Sequence, residues 1–175
     1  FDLFCEFMGY WLSGGSTMGN AGVVISQQEG EPARDRIVNC VKRIGFEPHL
    51  DKQKVEFYST PIRNYLKIFG KCSHKFIPSA IKNASVRQIR IFLNAFMLCD
   101  GYRRPCKSFV GNHGTEFKSD KDEILCFTVS ERMAGDLSEL ILKSGNRPSF
   151  SVNKAGVSHK SNGSIITSNY DCYSI

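Results

Sequence analysis

Asp100 is the side chain of this sequence best placed to do chemistry. It closes the apolar run Leu93-Asn94-Ala95-Phe96-Met97-Leu98-Cys99-Asp100-Gly101. The spacing predicts a helix, and a carboxylate at the negative end of a helix dipole is unfavourable until a cation answers it. A hard divalent cation, which takes carboxylate oxygens, would answer that charge. The second feature is basic: from Asp51 to Arg90 nine Lys or Arg stand against two acids, nine minus two giving a local excess of +7. Such a stretch suits a polyanion. Cys72-Ser73-His74 carries a thiol beside an imidazole, but neighbours in a loop seldom converge on one atom, so neither a metal site nor a nucleophile is expected there. The seven cysteines are odd in number and contain no C-x-x-C, which argues for reduced thiols and against a zinc ribbon or disulfide framework.

The run that ends in Asp100 has a counterpart near the start, Phe7-Met8-Gly9-Tyr10-Trp11-Leu12-Ser13-Gly14-Gly15. Third and seventh positions are small in both: Gly9 and Ser13, Ala95 and Cys99. One face of each helix is therefore small, and two such helices can pack closely. The terminal glycines, Gly15 and Gly101, are expected to act as turn residues that stop the helices. Where the second run has Asp100 the first has Gly14.

These nine-residue runs resemble the LAGLIDADG motif of homing endonucleases, whose eighth residue is a metal-binding Asp at the foot of two paired helices. Lys75-Phe76-Ile77-Pro78, followed by Ser79-Ala80-Ile81 and a new helix, resembles the intein-associated branch of that family. The resemblance spans nearly the whole chain. It implies an α+β fold of two pseudo-symmetric halves, each a motif helix with an antiparallel sheet. It also implies Mg²⁺-dependent phosphodiester hydrolysis on a long asymmetric double-stranded DNA site by a monomer. Asp100 is then a metal ligand and Lys75 its basic partner, with Lys154 or Lys160 as options for a second lysine. Gly14 departs from the pattern. Glycine offers no ligand, so cleavage should be weak, confined to one strand or absent. Two alternatives stay open: a DNA-binding protein that does not cut, and an RNA-binding maturase of the same fold.

The remaining elements repeat in order. Gly22 to Ser26 reads as a strand, Pro32 to Ile44 as a helix ended by Gly45, Val55 to Tyr58 as a strand and Pro61 to Phe69 as a helix. In the second half, strands near Ser108-Phe109-Val110 and Ile124–Val129 are expected to flank a turn at 111–114. A helix capped by Ser130 then runs to Gly145. Gly45-Phe46-Glu47-Pro48-His49-Leu50 parallels Gly145-Asn146-Arg147-Pro148-Ser149-Phe150. Motif positions 14 and 100 are 86 apart and these glycines 100 apart, so the second half carries about fourteen additional residues, placed most simply at Lys107–Lys121. The halves are read as 1–84 and 85–168, with 169–175 as a strand returning to an intein splicing domain.

Two sheets related in this way could follow the major groove on either side of a centre, with one set of strand side chains toward the helices and the other toward DNA. The polar residues expected on that wet face are Ser26, Gln28, His49, Lys52 and Lys54, then Arg103, Arg104, Lys107, Lys118, Arg147, Ser149, Ser151 and Lys154. Composition agrees with a folded protein: 175 residues, 41% hydrophobic, 23% charged, net charge +6. No apolar run approaches the ~20 residues of a membrane span. The first residues lack an initiator Met and a basic leader, which reads as a cut from a longer polypeptide rather than a signal peptide, and a DNA target implies action inside the cell.

Overall fold

A computed structural model describes residues 1–104, 109–110, 116–117, 123–159 and 165–175. Helix α1 (Asp2–Gly14) turns at once into β1 (Gly15–Met18) and β2 (Gly22–Ser26). There follow α2 (Pro32–Ile44), β3 (His49–Asp51), β4 (Lys54–Tyr58) and α3 (Thr60–Lys67). A 3-10 turn at Cys72–His74 and the short α4 (Ser79–Lys82) lead to α5 (Val86–Asp100) and β5 (Gly101–Arg104). Next come β6 (Phe109–Val110), β7 (Glu116–Phe117), β8 (Glu123–Thr128), α6 (Glu131–Lys143) and β9 (Ser151–Asn153). The hairpin β10 (Gly156–His159) and β11 (Ile165–Ser168) precedes β12 (Cys172–Ser174).

The first sheet has the strand order β1-β2-β4-β3 and the second β5-β8-β12-β9, both antiparallel. The two orders are the same, with β5 standing for β1 and β12 for β4. This is the α+β duplication expected from the sequence, with two corrections in the second half. The partner of β8 is β5, which starts at the motif glycine, whereas β6 near Phe109 pairs with β7 in a separate small ladder. The motif helix thus leads straight into its strand. Cys172–Ser174, read as a strand leaving for a splicing domain, pairs with β8 on one side and β9 on the other. It is an inner strand of the second sheet. The 111–114 turn, Lys107, Lys118 and Lys160 lie outside the described residues.

Helices α1 and α5 pack side by side, their small faces together. A Cβ at Gly9 would lie 2.6 Å from the Phe92 carbonyl oxygen and 2.7 Å from Ala95 Cβ. The third positions of the two motifs therefore meet at the closest approach, and around them Trp11, Phe92 and Phe96 are buried to within 1%. Each such aromatic contributes about 1.5–3 kcal/mol by leaving water. Ser85 begins α5 with a reciprocal cap, its hydroxyl accepting from Gln88 N–H and Gln88 Oε1 accepting from Ser85 N–H. At the other ends, Gly15 and Gly101 have extended backbone, φ −88° and −86°, and are not left-handed turn residues. They are required for a different reason: a Cβ would stand 2.3 Å from the Trp11 carbonyl oxygen in one case and 2.2 Å from that of Met97 in the other.

This packing makes a direct prediction. Gly9→Ala gains helix propensity of about 1 kcal/mol but must push apart two backbones, a larger overpacking cost, so a net loss of about 1–2 kcal/mol is expected in denaturant unfolding. Unchanged or raised stability would contradict the close approach.

Candidate active site and nucleic-acid interface

The two helix feet open on a cavity of about 470 Å³ whose lining includes Ser13, Gly14, Gly15, Lys75 and Asp100. Three of these were expected to meet, and they do. Asp100 ends α5, where burial raises its carboxyl above the usual range while the positive charge of Lys75 opposes the shift. Lys75 is 7% exposed, and its ammonium donates to the carbonyls of Trp11 at 3.1 Å, Leu12 at 3.1 Å and Gly15 at 2.8 Å. It also lies 4.9 Å from the centre of the Trp11 ring. An ammonium has three protons. All three are thus spent on carbonyls at the C-terminal end of α1, those of Trp11 and Leu12 in its last turn and that of Gly15 just beyond it, where helix carbonyls run short of donors. Lys75 neutralises the foot of the helix that lacks the motif carboxylate.

Two residues hold the Lys75 segment in place: Ser130, expected only as a helix cap, and Asp136, which sequence reading passed over. Ser130, the cap of α6, donates its hydroxyl to the Lys75 carbonyl at 2.6 Å. Asp136 accepts from Ile77 N–H at 2.8 Å and from Lys82 Nζ at 2.9 Å. The signal was available: Asp136 falls three residues after Met133 and four before Leu140, on the apolar stripe of its helix, where a carboxylate needs partners.

Burial lowers Lys75 to a pKa of about 8, with Asp100 acting in the opposite direction. Between pH 8 and its ordinary value of 10.5 the unfolded chain therefore binds more protons than the folded one, so stability rises with pH across that window. The expected gain from this group is about 3 kcal/mol at most. Urea unfolding from pH 7 to 10 should show that rise in the wild type and lose it in Lys75→Met; a slope shared by both proteins would remove Lys75 as its source.

The expected DNA-facing residues divide into groups. Val23, Ile25, Val55 and Phe57 are at most 1% exposed and face the core, so alternate residues of the same strands form the outer face. On it Ser26 is opposite Lys54 and His49 opposite Glu56. Exposed Gln28 and Lys52 sit on adjoining loops, joined by Glu29 N–H to the Lys52 carbonyl at 2.9 Å. Arg34, unforeseen from sequence, fastens these loops by donating to the carbonyls of Gln27 and Asp51. In the second sheet Arg103 is paired with Ile124 and shares its pleat with Gly101 and buried Cys126, so it belongs to the helix-side register. Arg104 stands opposite Glu123, its side chain outside the described residues. Ser151 is exposed on β9, opposite Ser174. Arg147 and Ser149 line a different cavity of about 710 Å³ beside α5 and α6. Lys154 is tied to Asp171 at 2.7 Å, joining the residue after β9 to the residue before β12, and does not line the cavity at the helix feet.

No family model matches the sequence, and no curated protein matches it. Solved structures do. Mesophilic variants of the homing endonuclease I-DmoI superpose with a TM-score of 0.59 over 99% of this chain and 88% of theirs, at 10% identity. I-DmoI in complex with DNA and Mn gives 0.54, covering 99% and 87% at 11% identity. The N-terminal LAGLIDADG domain of DUF199/WhiA gives 0.53, covering 99% and 75% at 14% identity. This is the LAGLIDADG fold. The paired motif helices of that fold are α1 and α5, and their feet form the cavity that holds Asp100.

Mg²⁺ keeps several waters and needs only one or two carboxylates besides substrate phosphate. Asp100 fits one such ion, since its charged form is under-solvated in a cavity roomy enough for water. Among the described residues no group of three His, Cys, Asp or Glu could hold a metal, and Gly14 adds no donor, so the residues do not fit a paired, protein-caged centre. A bound ion would supply charge neutralisation and an activated water. Asp100 would hold it, while Lys75 fixes the α1 foot and keeps positive charge beside the carboxylate.

Proposed function

We propose that this chain binds a long, asymmetric double-stranded DNA site as a monomer and hydrolyses one of its strands weakly, with Mg²⁺ or a related divalent ion held by Asp100. The observation that supports this reading most is the asymmetry at the helix feet: one carboxylate, on α5, and a lysine-capped glycine end on α1. One chain supplies both motif helices, so a second copy is not needed to complete the site. The halves divide near residue 84, and the second continues through β12. Lys75-Phe76-Ile77-Pro78 alone supports an intein-associated origin, and an intracellular setting follows from the DNA substrate. Among the described residues no helix is long and apolar enough to cross a membrane.

A non-cleaving DNA-binding protein is favoured by one observation, the engagement of all three Lys75 protons with backbone. Selection of bound duplexes from a random pool, followed by incubation of a plasmid carrying the selected site with Mg²⁺, separates the readings. Slow nicking supports the endonuclease; tight binding without any product supports the binding protein. Stronger retention of structured RNA than of the selected duplex would move the assignment to an RNA-binding maturase.

A further inference from the structure

Glu56 occupies a place that the reading above does not explain. It lies on β4 in the middle of the outer face of the first sheet, opposite Val24 on one side and His49 on the other. The residue is 8% exposed. Lys54 Nζ donates to its Oε2 at 2.6 Å, and the Tyr58 hydroxyl donates to its Oε1. These two hydrogen bonds, Lys54 first, hold the carboxyl below its ordinary range. The His49 and Tyr58 rings meet edge-on at 5.4 Å, closing the cluster on the side away from Lys54.

A carboxylate at the rim of a DNA-binding face would only repel phosphates. One at the centre of a sheet laid in the major groove meets base edges, where cytosine presents the N4 amino donor. A carboxylate has about four acceptor sites and an ammonium three donors. Lys54 spends one donor and Glu56 one acceptor site on their mutual hydrogen bond, and the Tyr58 hydroxyl takes one further acceptor site, so both side chains keep capacity. A cation beside an anion is the complement of a G·C edge, which shows the guanine N7 and O6 acceptors next to the cytosine N4 donor.

We propose that Lys54 and Glu56 together read one G·C pair in the half of the target beneath the first sheet. Lys54 donates to guanine O6 or N7, Glu56 accepts from cytosine N4, and Tyr58 is a positioning residue that keeps the carboxylate in place. This rests on the duplex-DNA reading above.

The test is selection from a random duplex pool by the full chain, run in parallel for wild type, Glu56→Gln, Lys54→Met and Tyr58→Phe, with melting curves to establish that each is folded. The wild-type pool should hold an invariant G·C at one position, and replacing it with A·T should weaken binding about five- to a hundredfold. Glu56→Gln should lose most of that discrimination at the same position alone, with the preferences at all other positions kept. Tyr58→Phe should lose part of it. Lys54→Met should relax that position as well; a salt slope reduced by about one with that preference intact would mark Lys54 as a phosphate contact and overturn its part in the proposal. Folded Glu56→Gln with an unchanged preference at every position would overturn the proposal. So would a uniform gain in affinity for all duplexes, which would mark Glu56 as a repelling charge and nothing more. A wild type that enriches no duplex would instead overturn the DNA-binding reading, and the base assignment with it.

Discussion

Duplex binding by this protein is expected to weaken by ~10³ to 10⁵ between ~50 and ~200 mM salt, because about six to ten phosphates release counterions when two sheets lie along the groove. The cations that supply this are spread over both halves. Lys52 stands exposed on a loop at the edge of the first sheet, Arg147 follows α6, and Lys154 is paired with Asp171. The Lys154 pair is largely open to water and is worth too little to withhold that lysine from phosphate. The quantity to measure is the slope of log affinity against log salt on a selected duplex. A slope shallower than about −2 would contradict an interface spanning two sheets.

The second large effect is expected from Gly14→Asp, which should raise double-strand cleavage at least about a hundredfold, the scale of a restored group at the reacting centre. Position 14 ends α1 beside the cavity that Asp100 lines from α5. A Cβ there would approach the Ser26 carbonyl oxygen to 3.0 Å, so β2 must give by a few tenths of an ångström. The added carboxylate also faces Asp100 across the helix pair, which costs stability without metal and is offset when Mg²⁺ lies between them. The variant should therefore melt slightly below wild type alone and gain thermal stability with Mg²⁺ and target DNA together. Cutting no better than wild type, on a duplex that both proteins bind equally, would make Asp100 a structural residue.

The helices that build this cavity were legible because their information is local. Small residues at the third and seventh motif positions, then glycine, forecast the α1 and α5 pairing, and Gly9 does meet Ala95. The role of Gly15 and Gly101 was misjudged: their backbone is extended rather than left-handed, and what excludes a side chain is the residue four positions earlier in the preceding helix, Trp11 in one case and Met97 in the other. Pairing partners were the weakest part. Phe109-Val110 has strand composition, but composition does not say which strand it pairs with, and β5 hid behind the motif because Gly101-Tyr102-Arg103-Arg104 is too short and polar to announce itself. Lys75 shows the same limit at the site. The resemblance carried by Lys75-Phe76-Ile77-Pro78 implied its place beside Asp100, while its three carbonyl partners, Trp11, Leu12 and Gly15, lie sixty or more residues earlier in the chain.

The most direct measurement of the asymmetric site is product analysis on a supercoiled plasmid carrying the selected duplex, incubated with Mg²⁺ and either wild type or Asp100→Asn. Nicked circles should accumulate with wild type, the break should map to one strand at one phosphate, and Asp100→Asn should abolish it while binding persists. Linear DNA formed without a nicked precursor, nicking that survives Asp100→Asn, or a bound plasmid left wholly intact would each contradict a single carboxylate acting at the foot of α5.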